Sequence, residues 1–162
     1  MTSAESRLEN SAKAVILDGD RVLLLKYVDR KMGLGVWYSL PGGRQQYGET
    51  LTETLVRECQ EEIGADVTPG RLLFVREYIH ARHELAGKGR DQHKIEFYFL
   101  AELKSELSAD YLAADDVSDE GQQGMRWCNL VDLRQLNIFP TGLRTLEDVV
   151  NASTDTYWGD TY

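Results

Sequence analysis

The sequence predicts an α+β domain in which a mixed β-sheet is packed by helices. Short apolar segments rich in branched and aromatic residues precede and follow one well-marked amphipathic helix. That helix covers residues 50–63 and is followed by Gly64, a usual residue just past a helix end. A second periodic segment, residues 143–150, predicts a closing helix. Strands on both sides of a central helix are typical of a mixed sheet with helices packed on it.

The elements before the central helix are short strands joined by turns. Residues 14–17 and 21–25 flank an Asp-Gly-Asp turn, which predicts a β-hairpin. Residues 37–40 predict a strand that stops at Pro41-Gly42-Gly43.

The segments after the helix complete the sheet. Residues 71–79 and 94–103 are strand-like, and the polar stretch 80–93 between them predicts a loop. Residues 125–130 predict one more strand.

The composition is that of one folded domain with an acidic surface. The 162 residues carry 18 Lys and Arg against 27 Asp and Glu, a formal net charge of −9. We expect a single domain over residues 1–162, with flexible or loosely docked ends at 1–10 and 151–162. Nucleic acid is not an expected partner, because binding through its phosphates needs a basic surface. A small anionic substrate is still compatible with this acidic surface if metal ions bridge it to the protein.

The sequence gives no sign of export or membrane insertion. No apolar run approaches the roughly 20 residues of a membrane span, and the N-terminus lacks the apolar centre of a signal peptide. Two cysteines, Cys59 and Cys128, are too few for a disulfide framework. We therefore expect a cytoplasmic protein with two buried thiols and no membrane partner. The oligomeric state is left open, a homodimer included.

The central helix has a well-defined start and an apolar stripe. Thr50 and Glu53 form a capping box. Apolar side chains recur every fourth residue and predict the face that packs on the core, namely Leu51, Leu55, Cys59 and Ile63.

Three glutamates on the same helix conflict with ordinary helix design. Glu58, Glu61 and Glu62 lie on one side of the helix, where like charges three or four residues apart repel. They also lie in its C-terminal half, where the helix dipole favours cations. A solvated acidic face is the common meaning of such a cluster. The alternative is a site for a hard divalent cation, which prefers oxygen ligands and removes the repulsion.

The loop before the helix favours the metal site. The glycines of Pro41-Gly42-Gly43 allow close backbone approach and a carbonyl directed at the helix face. Arg57 can be held by Glu49, which would orient the neighbouring Glu58. The alternative for that pair is a surface ion pair of little energetic value.

These residues together resemble the Nudix box. Its seven fixed positions are all present: Gly43, Glu49, Arg57, Glu58, Glu61, Glu62 and Gly64. Cys59 and Ala65 stand where the family usually has larger aliphatic residues, a change that bears on packing. Similarity is tight over residues 37–65 and thinner over roughly 14–146, where 120–127 resembles a later segment of MutT-type members.

The resemblance implies a Nudix fold, an α/β/α sandwich around a mixed sheet, and hydrolysis of a diphosphate linkage with Mg²⁺ or Mn²⁺. It implies that Glu58 and Glu62 are the main metal ligands, with Glu61 assisting and the Gly42 carbonyl joining them. Arg57 and Glu49 would be the orienting pair. Glu120 would be a further ligand or the general base, a role that Glu58 or Glu61 could also fill.

The substrate is less defined than the reaction. We expect a small nucleotide, first a nucleoside triphosphate as in MutT-like pyrophosphohydrolases. ADP-ribose, nucleotide sugars and dinucleoside polyphosphates are alternatives, and a non-catalytic nucleotide-binding module is an alternative of another class. No asparagine closely follows Phe139-Pro140, which argues against, without excluding, the oxidised-guanine substrates of purine-reading members. Lys26 and Arg44 are candidate phosphate contacts. The 80–94 segment is either a cationic flap over the substrate or a solvated loop.

Overall fold

The computed structural model describes residues 8–29, 31, 33–83, 92–107, 121–151 and 156–161. The first half contains β1 (Leu8–Asp18), β2 (Arg21–Asp29), β3 (Gly35–Ser39), β4 (Gly42–Arg44) and helix α1 (Leu51–Ile63). The second half contains β5 (Val67–Ile79), β6 (His93–Leu103), β7 (Gly121–Asn129), α2 (Leu146–Asn151) and β8 (Tyr157–Asp160). Short 3₁₀ helices occupy His80–Arg82, Leu130–Gln135 and Thr141–Thr145.

Among the described residues, eight strands form one mixed sheet in the order β3-β2-β1-β6-β5-β8, with β4 also paired to β1 and β7 to β2. The β1–β6 and β5–β8 pairs are parallel, and the remaining pairs are antiparallel. The predicted hairpin is present, with Asp18 opposite Arg21 and a positive φ of 58° at Gly19. The predicted mixed sheet is therefore confirmed.

Strand β1 pairs with two different antiparallel strands along its length, β4 and β2, and the pairing with β4 positions the glycine turn. Its C-terminal end pairs with β2, whereas Ser11, Ala12 and Lys13 pair with β4. Lys13 lies directly opposite Gly42. The turn that the sequence singles out is thus fixed to the centre of the sheet.

Two apolar layers cover the sheet and give the predicted α/β/α sandwich. On one side, Leu55, Cys59 and Ile63 of α1 are fully buried against β1 and β2. Leu51, the fourth residue of the predicted stripe, is partly buried at its edge. On the other side lie α2 and the neighbouring 3₁₀ helices, whose buried residues are Leu130, Leu133, Leu143, Leu146 and Val149.

Both cysteines are free and buried, as expected. Burial raises the pKa of Cys59 to about 12, so its thiol stays protonated at neutral pH.

The C-terminal end corrects one expectation. Residues 157–160, expected in a loosely docked tail, form the edge strand β8 on β5. The Trp158 ring stacks on Phe74 with centroids 3.7 Å apart, and the Asp160 carboxylate accepts from the Ile79 N–H at 3.0 Å. Aromatic burial and backbone pairing dock this segment, and neither contact has a local sequence signal.

The N-terminal expectation also changes in part. Residues 8–10 belong to β1 and pair with His93, Lys94 and Ile95 of β6. In the part of the chain that the structure describes, no helix has the length and apolar character that crossing a membrane requires.

Candidate metal centre and active site

Helix α1 is fixed at both ends by local hydrogen bonds. The Thr50 Oγ1 accepts from the Glu53 N–H at 3.2 Å, and the Glu53 carboxylate accepts from the Thr50 N–H at 2.7 Å. Gly64 ends the helix in the left-handed conformation at φ 63°. The predicted capping box and C-terminal glycine are both confirmed, and they set the rotation of the acidic face.

Arg57 lies at the centre of the acidic face. Its Nε and Nη2 donate to the two Glu49 carboxylate oxygens at 2.6 and 3.0 Å. Its Nη1 donates to Glu58 at 2.8 Å and approaches both Glu61 oxygens at 3.3 Å. Its Nη2 also donates to the Arg44 carbonyl at 3.0 Å, which ties the helix to the end of β4. The planar guanidinium is suited to such a bidentate arrangement.

Glu49 is held from several directions besides Arg57. The Thr54 hydroxyl donates to its Oε2 at 2.9 Å and the Gln46 N–H donates to the same atom at 3.0 Å. The hydrogen bonds from Arg57, with those from Gln46 and Thr54, lower the pKa of Glu49 to about 2. Glu49 is therefore ionised at neutral pH and fixes Arg57 in place.

Glu62 faces the glycine turn. Its Oε2 accepts from the Gly42 N–H at 2.7 Å. Burial raises the pKa of Glu62 above its ordinary value, although Lys13 and the Gly42 N–H act in the opposite direction. The sequence prediction had the Gly42 carbonyl directed at the helix, but the contact with the helix is made by its N–H. The carbonyl accepts from the Lys13 ammonium at 2.7 Å.

The turn requires glycine at two positions, because neighbouring atoms lie too close to the backbone there to leave room for a Cβ. A Cβ on Gly43 would lie 2.5 Å from the Cδ and Oε2 of Glu58, so that carboxylate packs on the bare backbone. Gly42 has φ 128°, and a Cβ there would lie 2.1 Å from the Ala12 carbonyl oxygen. Any side chain at either position would displace the acidic face or the sheet.

The three helix glutamates are near neighbours with different surroundings. The Glu58 side chain is 14% exposed and the Glu61 side chain 58% exposed. Within the described ranges, no three His, Cys, Asp or Glu side chains are gathered as a ready metal cluster. Glu58 is held by Arg57, and Glu62 is held by the turn.

The donor set nevertheless fits a hard divalent cation. Glu58, Glu62 and the Gly42 carbonyl offer oxygen ligands only, the preference of Mg²⁺. The Gly42 carbonyl already accepts from one positive group, the Lys13 ammonium. Glu58, Glu61, Glu62 and Gly42 therefore remain the predicted ligands.

Comparison with known proteins identifies the family. A model described as the NUDIX domain matches residues 7–149. The chain belongs to the Nudix family. An 8-oxo-dGTP diphosphatase of Proteus vulgaris is 33% identical over 98 residues, 60% of this chain and 80% of that protein. The human 8-oxo-dGDP phosphatase NUDT18 is 40% identical over 79 residues, 46% of this chain and 24% of that protein. The match thus spans about a quarter of the human relative's length.

Solved structures agree on the fold. A Nudix hydrolase from Nitrosomonas europaea matches with a TM-score of 0.68 at 20% identity, over 93% of each chain. The α+β Nudix fold predicted from the box is confirmed.

The remaining predicted residues of this Nudix domain have mixed outcomes. Glu120 lies outside the described residues, as do Lys88 and Arg90 of the 80–94 segment. The Arg44 guanidinium pairs with Glu9 at 3.2 Å, so its structural link to the site runs through its carbonyl. Lys26 is half-buried on β2 opposite Tyr38, and among the described residues no hydrogen bond or ion pair joins it to the helix glutamates.

Sequence reasoning missed two residues beside the Nudix helix. Tyr27 is partly buried, and burial together with Glu62 and Glu58 raises the pKa of its hydroxyl. Its ring stacks on Trp37 at 4.3 Å. Lys13 contacts the turn, and the sequence shows only that this lysine directly precedes the apolar run 14–17 of a predicted strand. A charge in such a strand usually has a partner.

Proposed function

We propose that this Nudix protein is a Mg²⁺-dependent hydrolase that cleaves the diphosphate linkage of a nucleotide. The observation that carries the proposal is the seating of two carboxylates, Glu58 and Glu62, against the Gly42-Gly43 turn. Their alignment is supported by the Arg57–Glu49 pair at 2.6 Å. A merely solvated acidic face would not need this much fixed structure.

The roles of the residues follow from these contacts. Glu58, Glu62 and the Gly42 carbonyl would hold Mg²⁺, with Glu61 assisting from its exposed position. Bound Mg²⁺ neutralises charge on the phosphate oxygens and lowers the pKa of water. Arg57 and Glu49 orient Glu58. Glu58, Glu61 and Glu120 are the candidates for the carboxylate that accepts the proton of the attacking water.

The sheet face beside the turn supports an anionic substrate. Directly paired residues of neighbouring strands share one face, and the pairs here are Gly42 with Lys13, Arg44 with Ser11, Arg76 with Glu96, and Lys94 with Glu9. Four cations therefore share a face with two glutamates. Arg44 is paired with Glu9 and the buried Arg76 with Glu96, so the unbalanced positive charge of this face is that of Lys13 and Lys94, in a chain of net charge −9. Such local positive charge attracts polyphosphates.

The substrate that we propose first is a nucleoside di- or triphosphate. The two curated relatives described above are named for 8-oxo-dGTP and 8-oxo-dGDP, which favours testing oxidised guanine nucleotides in spite of the missing asparagine after Pro140. ADP-ribose, nucleotide sugars and dinucleoside polyphosphates belong in the same panel.

A substrate panel with Mg²⁺ or Mn²⁺ tests the proposal, with released monophosphate or phosphate as the readout and ¹⁸O-water to locate the broken bond. We expect hydrolysis of at least one class, reduced about 100-fold or more in Glu58→Gln and Glu62→Gln. Glu102→Gln, an exposed change on β6, is the matched control and should keep full activity. Binding without turnover across the panel would instead favour the non-catalytic module.

A further inference from the structure

Lys13 is a half-buried cation on β1, directly opposite the glycine turn that contacts the acidic site. Its neighbours on β1, Ala12 and Ala14, are fully buried on the opposite face of the sheet, under α1, and Lys13 itself is half-buried. It lies directly opposite Gly42 in the β1–β4 register. Its Nζ donates to the Gly42 carbonyl at 2.7 Å. Placing a lysine here costs side-chain entropy and hydration, so a compensating interaction is expected.

Two side chains of opposite charge bind the backbone N–H and carbonyl of Gly42. The Glu62 carboxylate accepts from the Gly42 N–H at 2.7 Å, and the Lys13 ammonium donates to the Gly42 carbonyl. Lys13 and Glu62 also attract each other electrostatically. Lys13 therefore supplies positive charge at the place where the acidic face and the turn meet.

We propose that Lys13 is a positioning residue that acts as an internal counter-cation of the metal centre. In the metal-free protein it holds the Gly42 turn in place and offsets the charge of Glu62. Toward a divalent ion that uses the same carbonyl it is a competitor, since two cations on one oxygen repel. This inference rests on the proposed function, because it requires that the carboxylates bind metal.

Removal of the Lys13 charge has two opposite consequences. Divalent-ion affinity should rise, because a competing positive charge is gone. Thermal stability in EDTA should fall, because Glu62 loses its counter-charge. A purely structural lysine would weaken both properties together, so the opposite signs distinguish the two roles.

The test is a titration of the full chain with Mn²⁺ in the absence of nucleotide. The electron paramagnetic resonance signal of the free ion measures how much Mn²⁺ is bound. We expect Lys13→Met and Lys13→Gln to bind Mn²⁺ more tightly, on the order of three- to tenfold, and to melt at lower temperature in EDTA. Lys13→Gln keeps a hydrogen-bond donor and serves if Lys13→Met folds poorly. Lys13→Arg should stay within about twofold of the unmodified protein, since it keeps the charge.

Lys94→Met is the matched control, because Lys94 lies on the same sheet face and its nearest register partner on β1 is Glu9. It should leave Mn²⁺ affinity within about twofold, since long-range charge effects are screened by salt. Unchanged or weaker binding in both neutral Lys13 variants would overturn the inference, and so would equal tightening in Lys94→Met. Failure of the unmodified protein to bind Mn²⁺ would contradict the proposed function as well.

Discussion

At the scale of single residues, Arg57 joins most of the acidic site. It contacts Glu49, Glu58, Glu61 and the Arg44 carbonyl with three nitrogen atoms. A lysine offers one nitrogen and no planar pair of donors, so it cannot reproduce these contacts together.

We expect Arg57→Lys to lower kcat roughly 10- to 100-fold, the scale of a displaced catalytic carboxylate. The loss should exceed any change in KM, because the substitution leaves the proposed phosphate-binding face intact. Steady-state kinetics with the best substrate of the panel measures both constants. The control is Arg134→Lys, an exposed position in the 3₁₀ helix after β7. Equal kinetics in the two variants would show that Arg57 has no orienting role.

Gly43→Ala tests the contact between the turn and Glu58. The added methyl would lie within 2.7 Å of all three atoms of the carboxyl group, so the side chain must move. Since Gly43 does not have a positive φ, the backbone tolerates alanine and the fold should persist. We expect at least a tenfold loss of activity, with the melting temperature close to that of the unmodified protein. Retained activity would mean that the Glu58 position is not critical.

At the scale of secondary-structure elements, the features best predicted from the sequence are those that local contacts determine. Helix α1 begins at a capping box and ends at a glycine, and both signals lie within the helix's own sequence. The neighbours of β1 were not predictable, because pairing with β4 depends on a register between distant segments. The same reason explains why the Lys13 contact with Gly42 was missed, and why β8 was taken for a loose end.

Strand β8 is held by a cluster of acids and their donors. Glu77 accepts from Tyr157 and His93, at 2.6 and 2.9 Å, and Asp160 contacts His83 at 2.8 Å. The bond from Tyr157, with that from His93, lowers the pKa of Glu77. Burial alone would raise the pKa of Asp160, but its bonds with His83 and the Ile79 N–H outweigh this and leave it lowered.

We expect acidification to loosen β8 before the rest of the sheet. An acid with a lowered pKa stabilises the fold above its ordinary pKa, and the contribution is lost as the pH falls through the folded value. The loss should therefore occur below about pH 4. Hydrogen exchange of residues 157–161 between pH 6 and pH 3 measures it, with β1 as the internal reference. Equal protection of β8 and β1 throughout would contradict this expectation.

At the scale of the whole molecule, the fold and the family were predictable from one segment, because the Nudix box specifies a helix, its cap and the turn beside it. The substrate was not predictable in the same way. The face that we propose to attract it is built from side chains of β1, β4, β5 and β6 that meet only in the folded sheet.

Metal binding should stabilise the entire domain. A ligand that binds only the folded state at 100 times its Kd adds about 2.7 kcal/mol, so saturating Mg²⁺ should raise the melting temperature by several degrees. Glu58→Gln and Glu62→Gln should lose most of this rise, whereas Glu102→Gln should keep it. Differential scanning fluorimetry with and without EDTA measures the effect. A rise of equal size in all four proteins would show that the ion binds elsewhere.

The most direct measurement is anomalous diffraction from crystals of the protein soaked in Mn²⁺. We predict an anomalous peak between Glu58, Glu62 and the Gly42 carbonyl, with the Lys13 ammonium displaced from that oxygen. Glu58 and Glu62 remaining on Arg57 and the Gly42 N–H, with no peak beside the glycine turn, would contradict it.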